Sequence, residues 1–206
     1  MNRRDLLRYT STGAIISLSG CMEYINPKTN DITKDDRIRI DIKQIANNPN
    51  LGRYDLDFTV KVTKKYVDKN NPPSITVSVT NNSDVTVLLN GTPRKVFDGV
   101  RDTSNSVLLL EETDWRSNQI KSNSCWNLHQ EIPLSEVNYT TTLKKSESKN
   151  IELYLIGNSN IDGCIPTGSY RFETDYSLLL PDESGNRLIN EFTWGFIIDI
   201  TRDSKN

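Results

Sequence analysis

The chain has 206 residues, 27 acidic and 25 basic side chains, one histidine and a formal net charge of −2. Its basic residues form no stripe, since the doublets Lys64-Lys65 and Lys144-Lys145 stand alone, so no nucleic-acid partner is expected. With the first 36 residues set aside, about 170 remain, enough for one well-buried core and short for two.

The first segment reads as an export address. Arg3 and Arg4 give a charged start, residues 9–18 give a short, moderately apolar run, and Leu18-Ser19-Gly20-Cys21 closes it with small residues before a cysteine. A membrane-spanning helix needs about twenty mostly apolar residues, whereas this run is about half that and contains Thr10, Ser11, Thr12 and Ser17. The stretch Asn2-Arg3-Arg4-Asp5-Leu6-Leu7-Arg8 resembles a twin-arginine export signal, and Leu18-Ser19-Gly20-Cys21 resembles a lipobox. Together they resemble the leader of twin-arginine-type, haloarchaeal-like membrane lipoproteins. That resemblance implies export of a folded protein, removal of residues 1–20 as a signal peptide, and lipidation of Cys21. It places the protein at the cell membrane, lipid-anchored and facing the extracytoplasmic side. Arg3, Arg4 and Arg8 outweigh Asp5 by two charges, so removal of the leader takes the net charge from −2 to −4. Residues 22–36 are polar, contain Pro27 and lack apolar periodicity. With the lipidated Cys21 they form a flexible tether, 21–36, with a reach of roughly 20 Å.

From residue 37 the dominant period is two. Ile38, Ile40 and Ile42 alternate with charged residues, Leu56, Phe58, Val60 and Val62 with Asp57, Thr59 and Lys61, and Ile75, Val77 and Val79 with Thr76, Ser78 and Thr80. Residues 81–84 read as a turn into a strand at 85–89 that ends at Asn90-Gly91. Further strands are predicted at 107–111, 139–143, 151–156, 169–180 and 187–201, the last two forming a hairpin around Pro181-Asp182-Glu183-Ser184-Gly185-Asn186. No segment of ten residues carries a helical stripe. This many strands imply an all-β domain over 37–203 built as a two-sheet sandwich, because a single sheet would leave one apolar face wet. The segments Thr76 to Ser83 and Pro166-Thr167-Gly168-Ser169-Tyr170-Arg171-Phe172 resemble those of extracellular immunoglobulin-like sandwiches and of the bacterial intracellular proteinase inhibitor family. The resemblance implies an immunoglobulin-like fold and says little about activity.

With Cys21 assigned to lipid, Cys125 and Cys164 remain as an even pair. In an oxidising compartment a disulfide is favoured over two buried thiols. A zinc or copper site would want more His, Cys and Met than the chain supplies, so neither metal nor cofactor is expected. Glu111, Glu112 and Asp114 are the densest carboxylate cluster, and His129 is the only imidazole. Neither reads as a catalytic constellation, because acidic residues commonly mark a strand exit and no nucleophile elbow or phosphate loop accompanies them. Trp194 shares a face with Phe192 and Phe196 and reads as core, and Trp126 is placed beside the Cys125 bridge. Trp115, between Asp114 and Arg116, is the candidate exposed contact. Asn81, Asn90 and Asn138 fit the glycosylation triplet. The reading is a lipid-anchored surface binding or structural module with an extracellular protein or glycan partner. The alternatives are a carbohydrate-active or other hydrolytic enzyme, and a proteinase-inhibitor-like module presenting the loop from Asp98 to Ser106.

Overall fold

The alternation becomes strands packed as two antiparallel five-stranded sheets. The computed structural model describes residues 37–68, 71–91, 96–117, 125–133, 139–161, 163–183 and 185–203, all within one compact unit. Arg3, Arg4, Cys21 and the expected tether lie outside the described residues. In chain order the elements are β1 (Arg37–Ile45), β2 (Leu56–Lys64), β3 (Ser74–Asn81), β4 (Val87–Gly91), β5 (Val100–Arg101), β6 (Val107–Leu110), α1 (Glu112–Ser117), β7 (Tyr139–Leu143), β8 (Ser148–Gly157), β9 (Gly168–Asp182) and β10 (Gly185–Asp203). One sheet runs β1-β10-β9-β4-β7 and the other β2-β3-β8-β6-β5. Setting β2-β3-β8-β6 against β10-β9-β4 reproduces the two-sheet strand arrangement of an immunoglobulin-like sandwich, with β1, β7 and β5 added at the edges.

Both sheets are laced to each other at their corners. After β2 the chain crosses to the opposite sheet, where Ile40 N–H donates to the Lys65 carbonyl at 2.9 Å and Val67 N–H to the Ile38 carbonyl at 3.0 Å. Lys65 and Arg39 both pair with Asp41, at 2.8 and 2.6 Å, and hold its carboxyl below the usual carboxylate range, Lys65 most strongly. Because the folded value is depressed, this contribution is present above about pH 4 and fades as the pH falls. At another corner, β5 runs on to Asp102, which bridges to Phe172 of β9, and Thr103 N–H donates to the Arg171 carbonyl at 2.9 Å. These crossings cover strand ends that would otherwise present open edges.

The core between the sheets is aromatic at its centre. Phe58 of β2 stacks on Trp194 of β10 with centroids 4.6 Å apart, and Phe97 meets Trp194 edge-on at 5.3 Å and Phe196 at 5.0 Å. Phe97 is fully buried with a backbone φ of 71°. A bulky residue rarely adopts that conformation, and here its ring is locked between two others. A second apolar cluster covers the outer face of β6 and β8: Leu108, Leu110 and Ile156 lie beneath Trp115 and Leu128. All four residues of β6 are therefore buried, which is why Val107 to Leu110 is a continuous apolar run rather than an alternating one.

Truncating Trp194 to Ala is expected to lower unfolding free energy by about 3–5 kcal/mol. The exposed Thr201→Ala change stays within about 0.5 kcal/mol. Urea titration followed by fluorescence of the remaining tryptophans checks both.

Candidate functional site

Cys125 and Cys164, 39 residues apart in sequence, form a disulfide with Cα atoms 4.5 Å apart. The bridge ties the start of segment 125–133 to segment 163–164, and hydrogen bonds carry the attachment onward. Leu128 N–H donates to the Gly157 carbonyl at 2.9 Å, and Gly157 N–H to the Trp126 carbonyl at 2.7 Å. The Asn127 amide donates to the Gly163 carbonyl. A side chain at position 157 would collide with Asn127, so glycine is required for this close approach. Trp126 is half-buried and donates its indole N–H to the Asp68 carbonyl at 2.9 Å, near the bridge as its sequence position suggests.

Trp115 is not the exposed contact expected of it. It is only 4% exposed, packed against Trp126 at 5.5 Å and Tyr154 at 5.4 Å, with the Arg116 guanidinium over its ring at 4.4 Å. The reason is the short helix α1. Glu112 and Arg116 pair across one turn at 2.7 Å on its exposed side, and Trp115 turns inward between polar neighbours.

The carboxylates of the same region do not converge with the imidazole. Glu111 and Glu112 line a shallow recess of about 230 Å³ with Glu152 and Tyr154. Asp114 and His129 are not among its lining residues, and His129 is exposed. Glu152 accepts the Ser74 hydroxyl at 2.7 Å, and burial, with the Glu152 charge second, pushes the Tyr154 phenol upward.

The Asp98–Ser106 stretch is not a protruding loop either. Asp98 and Asp102 are 1% and 4% exposed, and between them lies β5, paired with β6. Asp98 accepts the Glu111 N–H at 3.1 Å. Asp102 accepts the N–H groups of Ser104, Ser106 and Val107 at 2.6–2.7 Å. Only residues 103–105, the tip of the turn into β6, are exposed. Asn81, which fits the glycosylation triplet, is fully buried. Its amide donates to the Val85 and Leu143 carbonyls at 2.8 and 3.0 Å and its carbonyl accepts Ser83 N–H at 3.0 Å, so the side chain is used inside the fold. Asn138 lies outside the described residues.

A larger concavity than the recess beside Glu111 and Glu112 lies on the outward face of the sheet that contains the long hairpin. Alternation sends Tyr176 and Leu178 of β9 into the core and Asp175 and Ser177 outward. Across the hairpin, Glu191 is opposite Ser177 and Thr193 opposite Asp175, and Asn90 of β4 is opposite Ser177 on the other side. Pairing of β4 with β9 ends where Gly91 faces Tyr176. A side chain at Gly91 would come within 2.7 Å of the Tyr176 ring. Around this end lies a recess of about 450 Å³ whose lining includes Asn90, Gly91, Asp175, Ser177, Glu191 and Thr193. The Thr193 hydroxyl donates to Asp175, and the Ser177 hydroxyl to Glu191 at 3.4 Å. Sequence reasoning passed over these residues, because acidic and hydroxyl side chains at alternate positions of a strand are also the pattern of any solvated sheet face.

The chain matches no protein-family model, no curated protein and no solved structure. The reading of function therefore rests on residues and geometry.

Replacing both Cys125 and Cys164 by Ala is expected to destabilise the domain by about 3–4 kcal/mol in the chain-entropy account of a loop this long. Melting curves of the double variant and of the unreduced and reduced parent check this. The reduced parent and the double variant fall together below the oxidised protein.

Proposed function

We propose that the protein is a lipid-anchored extracytoplasmic binding module, held to a membrane through Cys21 and presenting its sandwich domain on a short tether. The observation that carries the reading is the leader: Arg3-Arg4, a short apolar run, and Leu18-Ser19-Gly20-Cys21. A thiol can become a thioether to lipid, and the small residues before it allow a peptidase to reach the backbone. The Cys125–Cys164 disulfide supports it independently, since such bonds persist mainly outside the reducing cytosol. The fold adds a further support. An immunoglobulin-like sandwich is a rigid platform on which a face or an end can be given to recognition without disturbing the core. No described helix is long and apolar enough to cross a membrane, and in this reading the lipid at Cys21 is the attachment.

Under this reading the Cys21→Ser variant is released from the membrane. Detergent-phase partitioning of cell extracts should move the variant to the aqueous phase while the parent remains with detergent. Equal partitioning of the two would contradict the anchor.

A further inference from the structure

We propose that the protein pairs with a second copy of itself, edge to edge and antiparallel, through Gly185 to Trp194 of β10, and that the pair joins two apposed membranes. The pairing stands on the fold alone, and its placement between membranes rests on the lipid-anchor reading. The first support is an unused strand edge. β10 lies between β1 and β9, but β1 pairs with it only from Phe196 to Asp203, and a last bond joins the Ala46 N–H to the Gly195 carbonyl at 2.9 Å. From Gly185 to Trp194, β10 is paired with β9 on one side and with no described strand on the other. Within this stretch the Glu191 N–H turns to the Asn190 side chain for an acceptor, at 2.8 Å. Leu188, at 53% the most exposed large apolar side chain among the described residues, stands in it as well. An open edge of this length is a template for another strand.

The second support is charge, and it selects the occupant. Arg187 and Glu191 are the charged residues of the stretch, both exposed, and they flank the bulge between Leu188 and Asn190 at its middle. In a two-fold contact residue i meets j and j meets i. An antiparallel second copy centred on the bulge therefore sets each Arg187 beside the other copy's Glu191 and lays the two bulges against each other. A parallel copy would set Arg187 beside Arg187 and Glu191 beside Glu191, which is unfavourable. The outer edge strand β7 of the same sheet carries no charged side chain, so nothing on it chooses one partner over another. The third support is direction. The chain enters the domain at Arg37, opposite Asp203, and the open stretch lies at the other end of β10, a strand of 19 residues and so about 60 Å long. Antiparallel pairing turns the second copy end for end and puts the two Arg37 residues at opposite poles, the arrangement of a contact between two membranes. One strand pair is a small contact, and many of them between two surfaces act together.

Sedimentation equilibrium of the full lipidated chain in mild detergent at low salt, and light scattering of phosphatidylcholine vesicles that carry it, test this. The expected result is a dimer in detergent and clustering of the vesicles. Arg187→Glu and Glu191→Arg each set like charges beside one another at two places, so each variant alone is expected to lose about tenfold or more in dimer affinity and to stop clustering vesicles. Mixing the two variants restores both, because each then meets the opposite charge on the other. Both positions are exposed, so the melting temperature of each variant should match the parent. A monomer in detergent, a single variant that pairs as the parent does, or a mixture no better than its components would overturn the pairing. Dimers that form while vesicles stay separate would overturn the contact between membranes. Co-sedimentation with vesicles separates the two levels: a chain that pairs in detergent but does not stay on vesicles loses the anchor and keeps the dimer, whereas one that stays on vesicles as a monomer loses only the dimer.

Discussion

Contact between Phe58 and Trp194 is the point at which the two sheets become one core. Phe58 belongs to β2 in one sheet and Trp194 to β10 in the other, and their rings stack at 4.6 Å. Phe97 closes on Trp194 from the segment leading into β5, so three parts of the chain distant in sequence converge on one indole. Burial of side chains this large removes much apolar surface from water at a single contact. The next residue enforces the register. At Gly195 any side chain would strike the Phe172 carbonyl and Glu173, so β9 and β10 lie close there and Trp194 cannot slip to the outward face without a clash one position on.

Everything presented to solvent follows from that register. Fixing Trp194, Phe196 and Ile198 inward fixes Thr193 and Glu191 outward, and the antiparallel pairing brings Asp175 and Ser177 beside them. The hairpin is longer than its neighbours. β1 pairs with β10 only from Phe196 to Asp203, and β4 pairs with β9 only between Tyr176 and Leu179, so the middle of the hairpin borders strand ends on both sides. The concavity arises at one of those ends. The opposite sheet is handled differently: α1 and segment 125–133, tied down by the disulfide, cover the outer face of β6 and β8. One sheet is thus buried on part of its outer face, and the other keeps a polar outer face.

Much of the sandwich was legible because alternation of apolar side chains is written directly in Ile38 to Ile42, Leu56 to Val62 and Ile75 to Val79, and all three stretches fall within strands. What escaped was short or governed by non-local packing. With six residues, α1 is too brief to show a 3.6-residue stripe. Trp115 was consequently judged by its polar sequence neighbours, which in a helix lie on other sides of the cylinder. The two residues of β5 sit between Asp98 and Asp102 and are too few to show an alternating pattern. In the fold the carboxylates of these two aspartates serve the N–H groups of Glu111, Ser104, Ser106 and Val107, a role no local pattern announces. Asn81 carries a similar lesson, since a glycosylation triplet and a buried turn clamp have the same spelling. The recess was the least legible feature, because it forms where β4 stops pairing beside the long hairpin, and where strands end against one another is a property of the assembled sheet.

Anchoring and disulfide formation share one compartment, so both can be read from a single molecule. The most direct test is the intact mass of the protein taken from its native membrane, measured before and after reduction. The account predicts a chain lacking residues 1–20, carrying lipid at Cys21, and gaining two hydrogens on reduction as Cys125 and Cys164 separate. A chain that retains Met1 to Gly20 with a free Cys21 would contradict it, and the extracytoplasmic placement and the tether would fall with that result.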